Sequence, residues 1–144
     1  MNLIEHFQNA RDTVSLAPGQ TLFSEGQRAE AMYVLLEGTA SVLLGETPVE
    51  LAEPGALLGE MALIDDSKRS ATVVARSECR LVSINARQFD LLIREEPAFA
   101  RQVMKAMAER LRRMNARLTE AFGELSVHVA SRKAKASPAR GRTR

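Results

Sequence analysis

Apolar positions along the chain recur with two different periods, and the changes between them divide the sequence. Leu3, Ile4, Phe7 and Ala10 fall on one side of a helix, which predicts a short N-terminal helix over Asn2 to Ala10. The period then drops. Thr13-Val14-Ser15-Leu16, Thr21-Leu22-Phe23, Met32-Tyr33-Val34-Leu35-Leu36, Ala40-Ser41-Val42-Leu43-Leu44 and Pro48-Val49-Glu50-Leu51 are short strand-like runs. Turn residues separate them at Pro18-Gly19, Glu25-Gly26, Glu37-Gly38, Gly45-Glu46 and Pro54-Gly55. Two more strands are expected, Ala71 to Ala75 and Arg80 to Ile84. Many short strands with glycine at the corners predict a small antiparallel barrel, a β-roll or jelly roll.

Helical spacing returns after residue 84. Asn85 with Gln88 three positions on is a capping pair for a helix through about Arg94. Pro97 suits the first position of another helix, where its missing N–H costs nothing. Phe99, Val103, Met107, Leu111, Met114, Leu118, Phe122 and Leu125 then recur at spacings of three and four. They make one apolar stripe, with Arg101, Lys105, Glu109, Arg112, Arg113, Arg117 and Glu120 covering the rest. Gly123 ends or loosens this helix. About 25 residues at 1.5 Å each span nearly 40 Å, longer than a small barrel covers. Part of the stripe is therefore expected to pair with a second copy of the chain, giving a homodimer. The fold expected is mainly β with flanking helices: an antiparallel β-roll over 12–84, a short N-terminal helix, and two C-terminal helices at about 86–94 and 97–122.

Composition narrows the class. The 144 residues, 45% of them hydrophobic, suit one domain with a real core, placed here at 1–130. No apolar run approaches the roughly 20 residues of a membrane span. The start, Met1-Asn2-Leu3-Ile4-Glu5-His6, lacks the basic flank and apolar stretch of a signal peptide, so a cytoplasmic location is expected. Cys79 is the single cysteine, which excludes an intrachain disulfide and a cysteine-rich metal site; it reads as a small residue in a strand. His6 and His128 stand far apart without ligand partners nearby, and no catalytic set of residues is present, so neither a metal nor an enzymatic activity is expected.

Charge is informative once divided. The whole chain is +2, yet Arg132, Lys133, Lys135, Arg140, Arg142 and Arg144 crowd one end without an acid among them. The rest holds 14 basic and 18 acidic residues, a net of −4. The folded part is thus no basic nucleic-acid binder. Residues 131–144 carry no large apolar side chain and read as a basic disordered tail.

The densest chemistry lies in Leu58-Gly59-Glu60-Met61-Ala62-Leu63-Ile64-Asp65-Asp66-Ser67-Lys68-Arg69-Ser70-Ala71-Thr72-Val73. A glycine turn, a glutamate, a short apolar helical turn over Glu60 to Ile64, a hairpin turn at Asp65-Asp66 and an arginine form one compact unit. It resembles the phosphate-binding cassette of the cyclic-nucleotide-binding domain family, which includes catabolite-activator-type regulators. The order of elements agrees over roughly Asp12 to Leu118, and so do the phrases Pro18-Gly19-Gln20-Thr21-Leu22-Phe23-Ser24-Glu25-Gly26 and Met32-Tyr33-Val34-Leu35-Leu36-Glu37-Gly38.

The resemblance implies a cyclic-nucleotide ligand, cAMP or cGMP, held by Gly59, Glu60, Met61, Ala62, Arg69, Ser70 and Ala71. Arg69 would grip the cyclic phosphate through paired charge-assisted hydrogen bonds that a lysine does not copy. Glu60, an acceptor only, suits the ribose 2′-hydroxyl. The Ser70 hydroxyl would donate to a phosphate oxygen, and serine rather than threonine there points to cAMP. Two base-contacting positions on the long helix of catabolite-activator-like relatives fall on Met114 and Asn115. Asn115 offers a donor and an acceptor; Met114 departs from the pattern and could only pack. No helix-turn-helix pattern follows the long helix, so specific DNA binding is not expected. The function implied is a cyclic-nucleotide sensor that relays occupancy through its C-terminal helices to an effector protein or to its own dimer. The alternative is a non-binding or differently tuned module for dimerisation or protein interaction, using the long helix and the basic tail.

Overall fold

The structure, a computed structural model, describes the chain from Met1 to Ala136 and its side chains to Arg132. It contains two compact units, Met1–Ala106 and the part from Met107 onward.

The first unit is built on two four-stranded antiparallel sheets. In chain order the strands are β1 (Thr13–Leu16), β2 (Thr21–Phe23), β3 (Ala31–Glu37), β4 (Ala40–Leu44), β5 (Thr47–Ala52), β6 (Leu57–Leu58), β7 (Thr72–Ala75) and β8 (Cys79–Asn85). One sheet runs β1-β8-β3-β6 and the other β2-β7-β4-β5. Between them Phe23, Leu35, Ala40, Ala52, Leu58, Val73, Ala75, Cys79 and Leu81 close into a buried cluster. β3 and β8 are the central strands of the first sheet and are apolar on both faces. Leu35 and Leu81 enter the inter-sheet cluster, while Met32, Val34, Val82 and Ile84 are buried outside it.

Helices supply the cover for that second face. α1 (Leu3–Phe7) packs on β3 and α3 (Ala86–Glu95) packs on β8. Phe99, at the start of α4 (Pro97–Ala136), is fully buried, and the rings of Phe7 and Phe89 meet it edge-on at 6.1 Å each. Burying an aromatic ring of this size stabilises by about 2 to 3 kcal/mol. This three-ring contact ties both ends of the unit to the roll. The entry of α3 follows the expected capping box: the Asn85 side chain accepts from the Gln88 N–H, and the Gln88 side chain accepts from the Asn85 N–H, both at 2.8 Å.

The β3–β4 corner requires glycine. Gly38 has φ +89°, and a Cβ there would run into the Glu78 carbonyl. Beside it β3 shifts register against β8 between Leu35 and Glu37, an irregularity of the kind that bends a strand.

Several boundaries differ from the expectation. α1 stops at Phe7 rather than Ala10, since Gln8-Asn9 turns the chain and the Ala10 N–H returns to the Phe7 carbonyl. β6 was not expected; two residues carry no period, and Leu57–Leu58 becomes a strand only because Tyr33 and Val34 of β3 lie opposite. Asp65 and Asp66 form no hairpin turn. Asp65 ends α2 (Met61–Asp65), and Asp66 caps it in the left-handed region at φ 56°, a conformation aspartate tolerates better than most residues. α4 passes the expected end near residue 122 and reaches Ala136. A single glycine costs a helix about 1 kcal/mol, and the good helix formers Ala121, Glu124, Leu125 and Ala130 around Gly123 outweigh it. Residues 131–136, read as the start of the tail, are helical; the remainder, 137–144, lies outside the described residues.

Candidate functional site

The 59–71 segment leaves β6, turns at Gly59, forms α2 and returns into β7. Gly59 has φ +77°, and a Cβ there would collide with the Arg69 guanidinium and come within 3.2 Å of the Phe23 ring. Only glycine allows the chain to turn this close to the arginine.

Glu60 precedes α2 as its N-cap but makes no side-chain cap hydrogen bond; its side chain is fully buried. Ala62 is buried as well, and Met61, beside it, is 39% exposed. Arg69 comes back from the other side at only 6% exposure. Its Nη2 donates to the Ala31 carbonyl at 2.6 Å and its Nη1 to the Gly59 carbonyl at 3.2 Å. Burial pulls the guanidinium below its ordinary pKa, with the Tyr33 hydroxyl acting in the opposite sense. The Arg69 Nε–H, also buried, makes no hydrogen bond.

The Arg69 backbone is held as tightly as its side chain. Its N–H donates to the Gln27 carbonyl and its carbonyl accepts from the Gly26 N–H, both at 2.8 Å. The 24–27 turn is itself closed by Gln27, whose Oε1 accepts from the Ser24 N–H at 2.8 Å. Thr72 Oγ1, at the start of β7, accepts from the Glu25 N–H at 2.9 Å. Ser70 is exposed and Ala71 half-buried between these two anchored residues.

The structure thus brings together Gly59 and Arg69 by direct contact, with Glu60 and Ala62 buried beside the turn and Ser70 and Ala71 following the arginine. Met114 and Asn115 lie on α4 in the second unit, where both are exposed. Sequence reasoning missed three participants: the Phe23 ring, the Ala31 carbonyl and the 24–27 turn. The only advance signal for Phe23 was its place at the end of an alternating run, and a backbone carbonyl leaves no signal in sequence at all.

The family model for the cyclic nucleotide-binding domain matches residues 13–96, more than half of the chain. The chain belongs to that family. A cyclic nucleotide-gated potassium channel of Rhizobium etli is 37% identical over 92 residues, which cover 64% of this chain and 26% of the channel. The cyclic AMP receptor protein of Thermus thermophilus is 33% identical over 99 residues, covering 65% of this chain and 46% of the receptor. The crystal structure of the Thermus thermophilus catabolite activator protein superposes with a TM-score of 0.63 at 30% identity. That superposition covers 81% of this chain and 54% of the other. The chain therefore spans less than half the length of either curated relative. The β-roll with flanking helices is the fold of a cyclic nucleotide-binding domain, and the sequence-level reading of family and fold stands. Among the described residues no helix is long and apolar enough to cross a membrane.

Proposed function

We propose that this domain binds a cyclic nucleotide, cAMP in preference to cGMP, in the Gly59–Ala71 segment and acts as a sensor rather than an enzyme. The observation that carries the reading is the burial of two ionisable side chains, Glu60 and Arg69, in one short segment. Taking either charge out of water costs several kcal/mol before compensation, roughly. An apolar pair would fill the same space at less cost, so the presence of both favours a ligand that needs both. Arg69 supplies the charge and donors for a cyclic phosphate. Glu60, an acceptor, takes the ribose 2′-hydroxyl, and the exposed Ser70 hydroxyl adds a donor to the phosphate. The similarity to a receptor named for cyclic AMP supports the preference for cAMP.

The output runs through the helices. Ligand shifts an equilibrium only as far as its contacts differ between two helix positions, and Met114 and Asn115 are the residues on α4 proposed to reach the base. The apolar stripe of α4 pairs with a second copy of the chain, or with an effector, in the cytoplasm. Leu111, Leu118, Phe122 and Leu125 are each more than half exposed, and exposed apolar area of that extent favours a partner. The same stripe favours the second reading, an interaction module that binds no nucleotide. Thermal unfolding with increasing cAMP separates the two. A ligand that binds only the native state raises the midpoint with concentration; a midpoint indifferent to both nucleotides favours the interaction module.

A further inference from the structure

Phe23 closes β2, where the pairing with β7 shifts register between Thr21 and Phe23. Such an irregularity re-aims a side chain, and here the ring ends under the arginine. The Arg69 guanidinium carbon lies 4.0 Å from the centre of the Phe23 ring. Tyr33 stacks on Phe23 at 6.1 Å and 27°, and its own ring lies 5.9 Å from the same guanidinium. Phe23 is 8% exposed, so the contact is largely desolvated, the condition under which a cation over a ring is most strongly held.

The remaining contacts restrict the guanidinium further. Its two terminal nitrogens are tied to the Ala31 and Gly59 carbonyls. One of its five donors, Nε–H, is buried without a hydrogen bond. A buried donor left unmade is costly. On a guanidinium it belongs to the edge that phosphates take side-on. The backbone of Arg69 is fastened to Gly26 and Gln27, just beyond Phe23, so ring and guanidinium are held in one frame.

We propose that Phe23 is a positioning residue for anion binding: its ring holds the Arg69 guanidinium flat, with the Nε edge left to receive a phosphate of the cyclic nucleotide. This rests on the cyclic-nucleotide reading above. Without the ring the two carbonyl hydrogen bonds still hold the guanidinium, but its plane is less restrained, and ordering it is charged against binding.

The test combines calorimetric titration with cAMP and the Arg Nε–H region of the nitrogen–proton spectrum, for the wild type, Phe23→Leu, Phe23→Met and Phe23→Tyr. Arg69→Lys assigns the signal. A strongly ring-current-shifted Nε–H is expected in the wild type and Phe23→Tyr, and a much smaller shift, from Tyr33 alone, in Phe23→Leu and Phe23→Met. Affinity is expected to fall roughly fivefold to tenfold in the two ring-less variants and to stay within about twofold in Phe23→Tyr. Phe23→Met carries the comparison if Phe23→Leu fails to fold. Wild-type affinity in a folded ring-less variant, or an equal loss in Phe23→Tyr, overturns the positioning role while leaving nucleotide binding intact. A wild type that binds neither cAMP nor cGMP overturns the functional reading and this role with it.

Discussion

Arg69 Nη1 donates to the Gly59 carbonyl at 3.2 Å, ten positions back along the chain. The basic end of the segment is thereby fastened to its glycine corner, with α2 and its Asp66 cap looped out between them. The same guanidinium holds the Ala31 carbonyl at the start of β3, so one side chain joins the loop to the first sheet. Geometry for a ligand and integrity of the loop share a residue, and variants here should separate into those that lose one and those that lose both.

Replacing the arginine tests the ligand side. Arg69→Ala should weaken cyclic-nucleotide binding by at least about tenfold, because the positive charge and the Nε–H donor proposed for the phosphate are lost. The roll should remain folded, as the cluster between its sheets and the ring contact under its helices do not include Arg69. Calorimetric affinity and far-ultraviolet dichroism of the same preparation check both halves. Unchanged affinity would remove Arg69 from the site.

Gly59→Ala should damage both properties. The left-handed backbone costs a non-glycine residue about 1 to 2 kcal/mol, and the new Cβ meets the Arg69 guanidinium. Urea unfolding should show a loss of at least that size, with affinity reduced beyond what unfolding explains. A variant of wild-type stability would mean that the corner relaxes freely.

Leu118→Glu addresses the partner. Leu118 is 54% exposed in the middle of the α4 stripe, and a carboxylate there cannot enter an apolar helix pair. Sedimentation equilibrium should find a dimer for the wild type and a monomer for the variant. A wild type that stays monomeric at high concentration would exclude self-association as the use of the stripe.

Cys79 predicts a pH dependence. Burial pushes its thiol above the ordinary range, against the smaller opposing effect of backbone hydrogen bonding at Ser77 and Thr39. The native state therefore holds the proton more tightly than the unfolded chain does. Its contribution is complete below the unfolded thiol value and is lost as pH rises through the interval above about 8.5. Unfolding free energy measured from pH 7 to pH 10 should fall more steeply for the wild type than for Cys79→Ala. Parallel curves would show that the thiol does not titrate with folding.

Local signals in the sequence carried most of this architecture. Asn85 and Gln88 specify a capping box within four residues, and the structure contains it. Glycine corners and alternating runs located seven of the eight strands, because each signal sits inside its own element. Leu57–Leu58 escaped, since what makes it a strand is a partner in β3. α4 outran its expected length because a single glycine was read as a stop, when its cost is small beside the helix formers around it. Within the 59–71 segment the glycine, the glutamate and the arginine were legible from type and spacing. The setting of Arg69 was not: the Phe23 ring and the Ala31 carbonyl come from distant strands, and only the closed roll brings them to the guanidinium.

The central claim, that the 59–71 segment is a cyclic-nucleotide site, is tested most directly by isothermal titration of the wild-type protein with cAMP and with cGMP at physiological salt. The account predicts saturable binding near one nucleotide per chain, tighter for cAMP. Absence of saturable binding with either nucleotide would contradict it and leave the α4 stripe as the functional surface.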